Sequence, residues 1–168
     1  MSPIEYFDFG NDVRARIRNV VIMSTGFNQP SSPEEVEQAQ EIRSISIAAL
    51  PKHRIFVVIV DWQLDLPQRV RTVWCKVAVE FEIENFDLVF DVSDEGHTIS
   101  PRLAVDKQFF GIAYQTVRGV VVAKLAGTPW SRRVPSLVSQ DDLQPRQAES
   151  KVKVGRLKSA SKTSKKSA

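Results

Sequence analysis

The chain has 168 residues, with 23 lysines and arginines against 20 aspartates and glutamates, a net charge of +3, and 42% hydrophobic residues. That is enough for one domain with a buried core, and it excludes a wholly disordered chain. The lone Cys75 excludes an internal disulfide, the longest apolar run (Ile55 to Val60) is too short to span a bilayer, and Met1 to Gly10 lacks the basic and apolar regions of a signal peptide, so a soluble protein of a reducing, cytoplasmic compartment is expected.

The segment from Val13 to Phe27 alternates. Val13, Ala15, Ile17, Val21, Met23 and Phe27 share one parity, and Arg14, Arg16 and Arg18 share the other. A strand with one buried face has this period of two. Val20 and Ile22 interrupt the polar face, so both faces are expected to be covered there. Ser32-Pro33-Glu34-Glu35 then carries a capping residue, a proline at the first helical position and an early carboxylate, which suits a short helix to about Gln40, with a polar surface loop as the competing reading. Ile42, Ile45 and Ile47 suggest a short strand ending at Pro51.

The clearest strands follow. In Arg54 to Leu66 the even positions are all apolar from Phe56 to Leu66, and the odd positions turn from apolar to polar. In Thr72 to Glu84 the odd positions Val73, Cys75, Val77, Val79, Phe81 and Ile83 are apolar, and Lys76, Glu80, Glu82 and Glu84 oppose them. Pro67-Gln68-Arg69 between them suits an antiparallel hairpin. Phe86 to Val92 reads as a further strand or an extended link, Asp94-Glu95-Gly96-His97 as a loop, and Ser100-Pro101 as the cap of the next helix.

From Leu103 the period changes. Phe110, Ala113, Val117, Val120, Val121 and Leu125 recur at three- and four-residue steps, and Gly127 and Pro129 end the helix. Gly111 and Gly119 lie on nearly the same face of it, either as a close-approach surface or as a tolerated weakness. The body thus reads as an α+β meander with one face of an antiparallel sheet covered by a long helix. The last stretch, 145–168, has no aromatic residue and is expected to be a disordered tail of a domain spanning 1–144. Residues 146–168 carry eight basic groups against Glu149, a balance of +7, which leaves the body at −4. The surplus of positive charge belongs to the tail and not to the fold.

Chemistry-bearing motifs are scarce. His53 and His97 have no partner at metal-ligand spacing, Cys75 has no second cysteine, and neither a glycine-rich phosphate loop nor a nucleophile elbow occurs. No catalytic residue, metal or cofactor is expected, and an enzyme is not indicated. Glu80, Glu82 and Glu84 form an acidic stripe, either a solvated strand face or a docking site for a basic partner such as the tail. Trp62 is expected in the core. Trp74 lies on the mostly polar face of its strand, and Trp130 follows the helix-breaking Gly127-Thr128-Pro129. Exposed aromatics of this kind mark sites for apolar partners. Ordinary packing is the competing reading of both.

Together these residues resemble the SecB-type export chaperones. The resemblance rests on Phe27-Asn28-Gln29-Pro30, on Arg54-Ile55-Phe56-Val57-Val58-Ile59-Val60 and on Val73-Trp74-Cys75-Lys76-Val77 leading to Phe81. It continues through Ile112-Ala113-Tyr114-Gln115-Thr116-Val117-Arg118-Gly119, Gly127-Thr128-Pro129-Trp130 and Val134-Pro135-Ser136-Leu137. It implies a four-stranded antiparallel sheet under a long helix, and a homo-oligomer that is a tetramer built as a dimer of dimers. It implies an ATP-independent holdase for unfolded or precursor polypeptides, with Phe27, Trp74 and Trp130 as candidate client-binding residues. It also implies the SecA motor as a partner, docked by acidic residues at positions matched here by Ser24, Asn28 and Lys76, none of them acidic. A SecB-like chaperone outside the main export route, protecting an antitoxin, fits that departure better. The reading from another class is a nucleic-acid- or ribosome-associated module acting through the lysine-rich tail.

Overall fold

Strand β5 (Arg69–Ile83) organises the molecule. Its odd-numbered residues from Val73 to Ile83 are all buried, as the alternation predicts. It pairs antiparallel with β4 (Ile55–Leu66) on one side and with β2 (Arg14–Phe27) on the other. The β4–β5 hairpin turns at Pro67-Gln68, one residue tighter than expected, with Asp65 accepting a hydrogen bond from the backbone N–H of Arg71 at 2.8 Å. β3 (Gln40–Leu50) pairs with β4 and is longer than its three isoleucines suggest. The order β1-β2-β5-β4-β3 therefore holds four long strands, with a two-residue β1 (Phe7–Asp8) added at the β2 edge. This computed structural model describes residues 7–8, 10, 12–92, 99–101, 106–139 and 142–143. The expected loop with His97 and the expected tail, 145–168, lie outside them.

One face of the sheet is covered by α3 (Asp106–Leu125), which buries Phe109, Phe110, Ala113, Tyr114, Val117, Val121 and Leu125. Those positions recur at three- and four-residue steps, so one helical stripe meets the sheet. Phe109 sits between Phe56 and Phe81, with ring centroids 5.6 and 4.9 Å away at steep interplanar angles, a favourable geometry for aromatic quadrupoles. The residues after β5 form a single turn of helix, α2 (Phe86–Val89), and then β6 (Phe90–Val92), which turn Phe86 and Phe90 back onto this cluster. Ser100 and Pro101 do not cap α3. They lie in β7 (Ile99–Pro101), which pairs with β6. The helix ends where Gly127 takes φ 76°, a left-handed conformation that suits glycine. At Gly119 a side-chain carbon would meet nothing within 4 Å, so that glycine marks no close approach.

β2 and β3 occupy opposite edges, so the chain between them must cross the sheet end. It does so through α1 (Pro33–Gln38), the helix expected from Ser32-Pro33. Two residues that follow α3 anchor this crossover. Trp130 is fully buried in a 3-10 turn (Pro129–Arg132), and its indole N–H donates to the carbonyl of Asn28 at 2.8 Å. Arg133 donates to the carbonyls of Val36, Glu37 and Ala39. These groups close the C-terminal end of α1, where unpaired carbonyls and the helix dipole favour a cation. The next residues run along α3 and β3. Arg118 donates to the carbonyl of Pro135, and the single hydroxyl proton of Tyr114 is shared between the carbonyl of Ser136 at 3.0 Å and the carboxylate of Glu41 at 3.2 Å.

Candidate functional site

The expected parity of β2 fails after Ile17. Irregularities between Ile17 and Asn19 and again between Ile22 and Ser24 shift its register against β5. An extra residue in one strand flips every later side chain to the other face. Val20 and Ile22, opposite Val79 and Val77, therefore point to the helix-covered side, and Val21, opposite Ala78, points to the other. Neither side is sealed. Val20, Val21, Ile22 and Met23 are between 39% and 52% exposed, and Val122 on the flank of α3 is 46% exposed. The expected covering of both faces is absent, because α3 packs on β4 and β5 and β1 pairs only with Arg14 and Ala15. The outer edge of β2 beyond Ala15 has no partner strand among the described residues. Exposed, unpaired and apolar, it is a surface that recruits another chain.

At the C-terminal end of this edge lies a half-open cavity of about 220 Å3 between β2, the β4–β5 hairpin and the last turns of α3. Its apolar walls are Phe27, Trp62, Val73, Trp74, Val121 and Leu125, and Thr25 and Lys124 stand with them. Trp74 and Gly26 are paired across the strands. The Trp74 indole lies on the glycine so closely that a β-carbon on Gly26 would come within 2.5 Å of the ring. Gly26 is thus needed for the Trp74 position, a use of glycine that alternation alone does not reveal. Trp62 also lines the cavity although it is itself fully buried, and its indole N–H has no acceptor among the described residues. Burial pushes the Cys75 thiol up, against a smaller opposing effect of its hydrogen bond with Thr25, so it is a packed thiol and not an activated one.

Of the three expected client-binding residues, the fold brings Phe27 and Trp74 together at this cavity and separates Trp130 from them in accessibility. Both cavity residues are half-buried, whereas Trp130 has no exposed surface. The surface reading of Trp130 is corrected to packing, since its ring pins the crossover and its N–H is satisfied. The acidic stripe is also less available than its sequence suggests. Glu82 is bound by Arg16 at 2.7 Å, so part of it is a cross-strand ion pair. Ser24 lies opposite Lys76, and Lys76 reaches Asp61 at 3.7 Å. Of the three positions that the resemblance matches to acidic docking residues, Ser24 and Asn28 are neutral and Lys76 is a paired cation. Among the described residues no group of His, Cys, Asp and Glu could hold a metal ion, and no helix is long and apolar enough to cross a membrane.

No family model matches the chain, and no curated protein matches it either. Among solved structures it is similar to the Mycobacterium tuberculosis Rv1957 SecB-like chaperone, in complex with a ChAD peptide from the Rv1956 HigA1 antitoxin. The TM-score is 0.44 and the sequence identity 15%, with 75% of this chain and 91% of that chain covered. At that score the likeness carries no argument, and the functional reading rests on the residues themselves.

Proposed function

We propose that the protein is an ATP-independent holdase of the SecB-like kind, which keeps polypeptides unfolded by binding their apolar side chains. The observation that supports this best is the juxtaposition of Phe27 and Trp74 at one half-open cavity, continuous with an unpaired apolar strand edge. An unfolded client offers exposed apolar side chains, which such a cavity can cover. No cofactor enters this reading. The clients are unfolded or precursor chains in the cytoplasm, an antitoxin among them. The pairing of Lys76 with Asp61 weighs against SecA as the motor.

The same reading takes the chain as a homo-oligomer, a tetramer of paired dimers, with the β2 edge as the self-association surface. Antiparallel pairing of two copies about Val21 would set apolar residues on apolar residues. It would place Arg14, Arg16 and Arg18 against the neutral stretch from Ser24 to Asn28 of the other copy. The reading is tested by aggregation of a chemically denatured client with stoichiometric chain and no nucleotide, together with the native mass. Suppressed aggregation and a tetrameric mass that gains client support it. Unchanged aggregation rejects it.

The +7 balance of 146–168 favours a second reading, in which the tail binds nucleic acid or the ribosome. Deleting 146–168 separates the two. Loss of salt-sensitive nucleic-acid binding with holdase activity retained makes the tail an accessory. Nucleic-acid binding by the full chain with no holdase activity makes it the main function.

A further inference from the structure

Along the N-terminal half of α3 lies a second hollow, formed without any residue of the sheet. It has a volume of about 460 Å3 and is lined by Gly111, Ile112, Gln115, Thr116, Val138 and Leu143. It is separate from the Trp74 cavity, which touches the helix at Val121, Lys124 and Leu125. A dry protein cavity of ~150 Å3 already takes up benzene, so this one has room for about three aliphatic side chains.

The chain itself indicates what covers it. Leu143 is buried in the wall, and the described residues end there, so 144–168 start from the hollow. Val152, Val154 and Leu157 are the only valine, leucine, isoleucine, methionine or aromatic residues in that stretch, and they fall within six positions. The eight residues 144–151 span at most about 26–29 Å, so the three side chains stay within reach of the wall. A site joined to its ligand by so short a linker meets it at millimolar effective concentration. Charge favours the same return, since 146–168 balance to +7 and the rest of the chain to −4. Lys151, Lys153, Arg156 and Lys158 interleave with the apolar residues, and their long stems let the charges remain in water.

We infer that segment 152–157 returns to α3 and fills this hollow with Val152, Val154 and Leu157. The outer groove of α3 is then covered by the chain's own tail, and any other chain must displace the tail to bind there. The inference does not depend on the holdase reading.

The test measures intramolecular disulfide formation in the full chain. One thiol is introduced by Gln115→Cys, at an exposed position on the hollow, and the second by Val154→Cys or, as a control, by Ser164→Cys. Cys75 is buried and stays in place. Bridging in oxidised glutathione is followed by mass mapping at low protein concentration. Positions 154 and 164 lie 11 and 21 residues beyond Leu143, so a tail with no preferred site would bridge about threefold faster at 154 from loop length alone. A seated tail is expected to bridge at least about tenfold faster there, because the thiol replaces a seated side chain and is itself a small hydrophobe. Adding Val152→Ser and Leu157→Ser should bring the ratio back to about threefold, with the exposed helix face and the fold untouched. A ratio of about threefold or less before the serines are added, or an unchanged ratio after, overturns the inference. Bridges between chains in place of bridges within them also overturn it and assign the hollow to a second copy.

Discussion

β5 and β2 are neighbours in one sheet with similar sequences and opposite fates. Each mixes valines and isoleucines with arginines, glutamates or lysines. β5 has a strand on both sides and α3 above it, and its odd-numbered residues from Val73 to Ile83 are buried. β2 is buried at Ala15, follows Val13 in the core, and then runs out from under the helix, leaving Val20 to Met23 exposed. Apolar content therefore does not distinguish core from interface. The position of a strand in the sheet order and the reach of the covering helix do. An edge strand that stays apolar on both faces is a liability unless another chain covers it, which is why the exposed half of β2 is read as functional.

Substitutions on the sealed side should damage the fold, and those on the open side should damage binding and assembly. The largest effect is expected for Trp130→Ala, which removes a fully buried ring and the bond to Asn28; a loss of about 3–5 kcal/mol in denaturant unfolding is expected. If Trp130→Ala instead unfolds like the wild type, the ring is not core. Arg133→Ala removes three bonds to the α1 carbonyls and should cost about 2 kcal/mol, with the crossover becoming the first site of proteolysis. Trp74→Ala, at a half-buried ring, should cost about 1 kcal/mol of stability and remove most client binding. Gly26→Ala should mimic it by pushing the ring away. Ile22→Asp, at 44% exposure, should change monomer stability by no more than about 0.5 kcal/mol, while sedimentation shows the oligomer falling apart. An intact oligomer in that variant would end the case for the β2 edge as the self-association surface.

The sealed side also carries a pH signature. Burial, together with the charge of Glu41, pushes Tyr114 up to about 12. An unfolded tyrosine titrates near 10. The folded state thus holds its proton more tightly. The stability this gives is complete below about pH 10 and is lost as the pH rises towards 12. Unfolding midpoints of wild type and Tyr114→Phe across that window should converge as the pH rises.

The β4–β5 hairpin and α3 were legible in the sequence because each buries one face at a constant period. Ile55–Leu66 and Asp106–Leu125 differ from the expected spans only at their ends. β2 was legible as a strand but not in its orientation. Its two register shifts leave no residue-type signal, since an added Arg18 or Met23 looks like any other strand residue. β3 was underestimated because Gln40, Glu41 and Arg43 dilute its pattern, although an edge strand tolerates them on its solvent side. Phe27 and Trp74 were picked out as separate aromatics, and only the pairing of β2 with β5 brings them to one cavity. Trp130 went the other way. A single tryptophan after Pro129 has no periodicity to betray burial, and its fate depends on the contact with Asn28, 102 residues earlier. Arg133 gave no signal either, because its partners are backbone carbonyls.

The most direct test is the aggregation of a chemically denatured client, without nucleotide, at equimolar wild type and Trp74→Ala. The account predicts that wild type suppresses aggregation and that Trp74→Ala, still folded by circular dichroism, does not. A wild-type protein that leaves aggregation unchanged would contradict it.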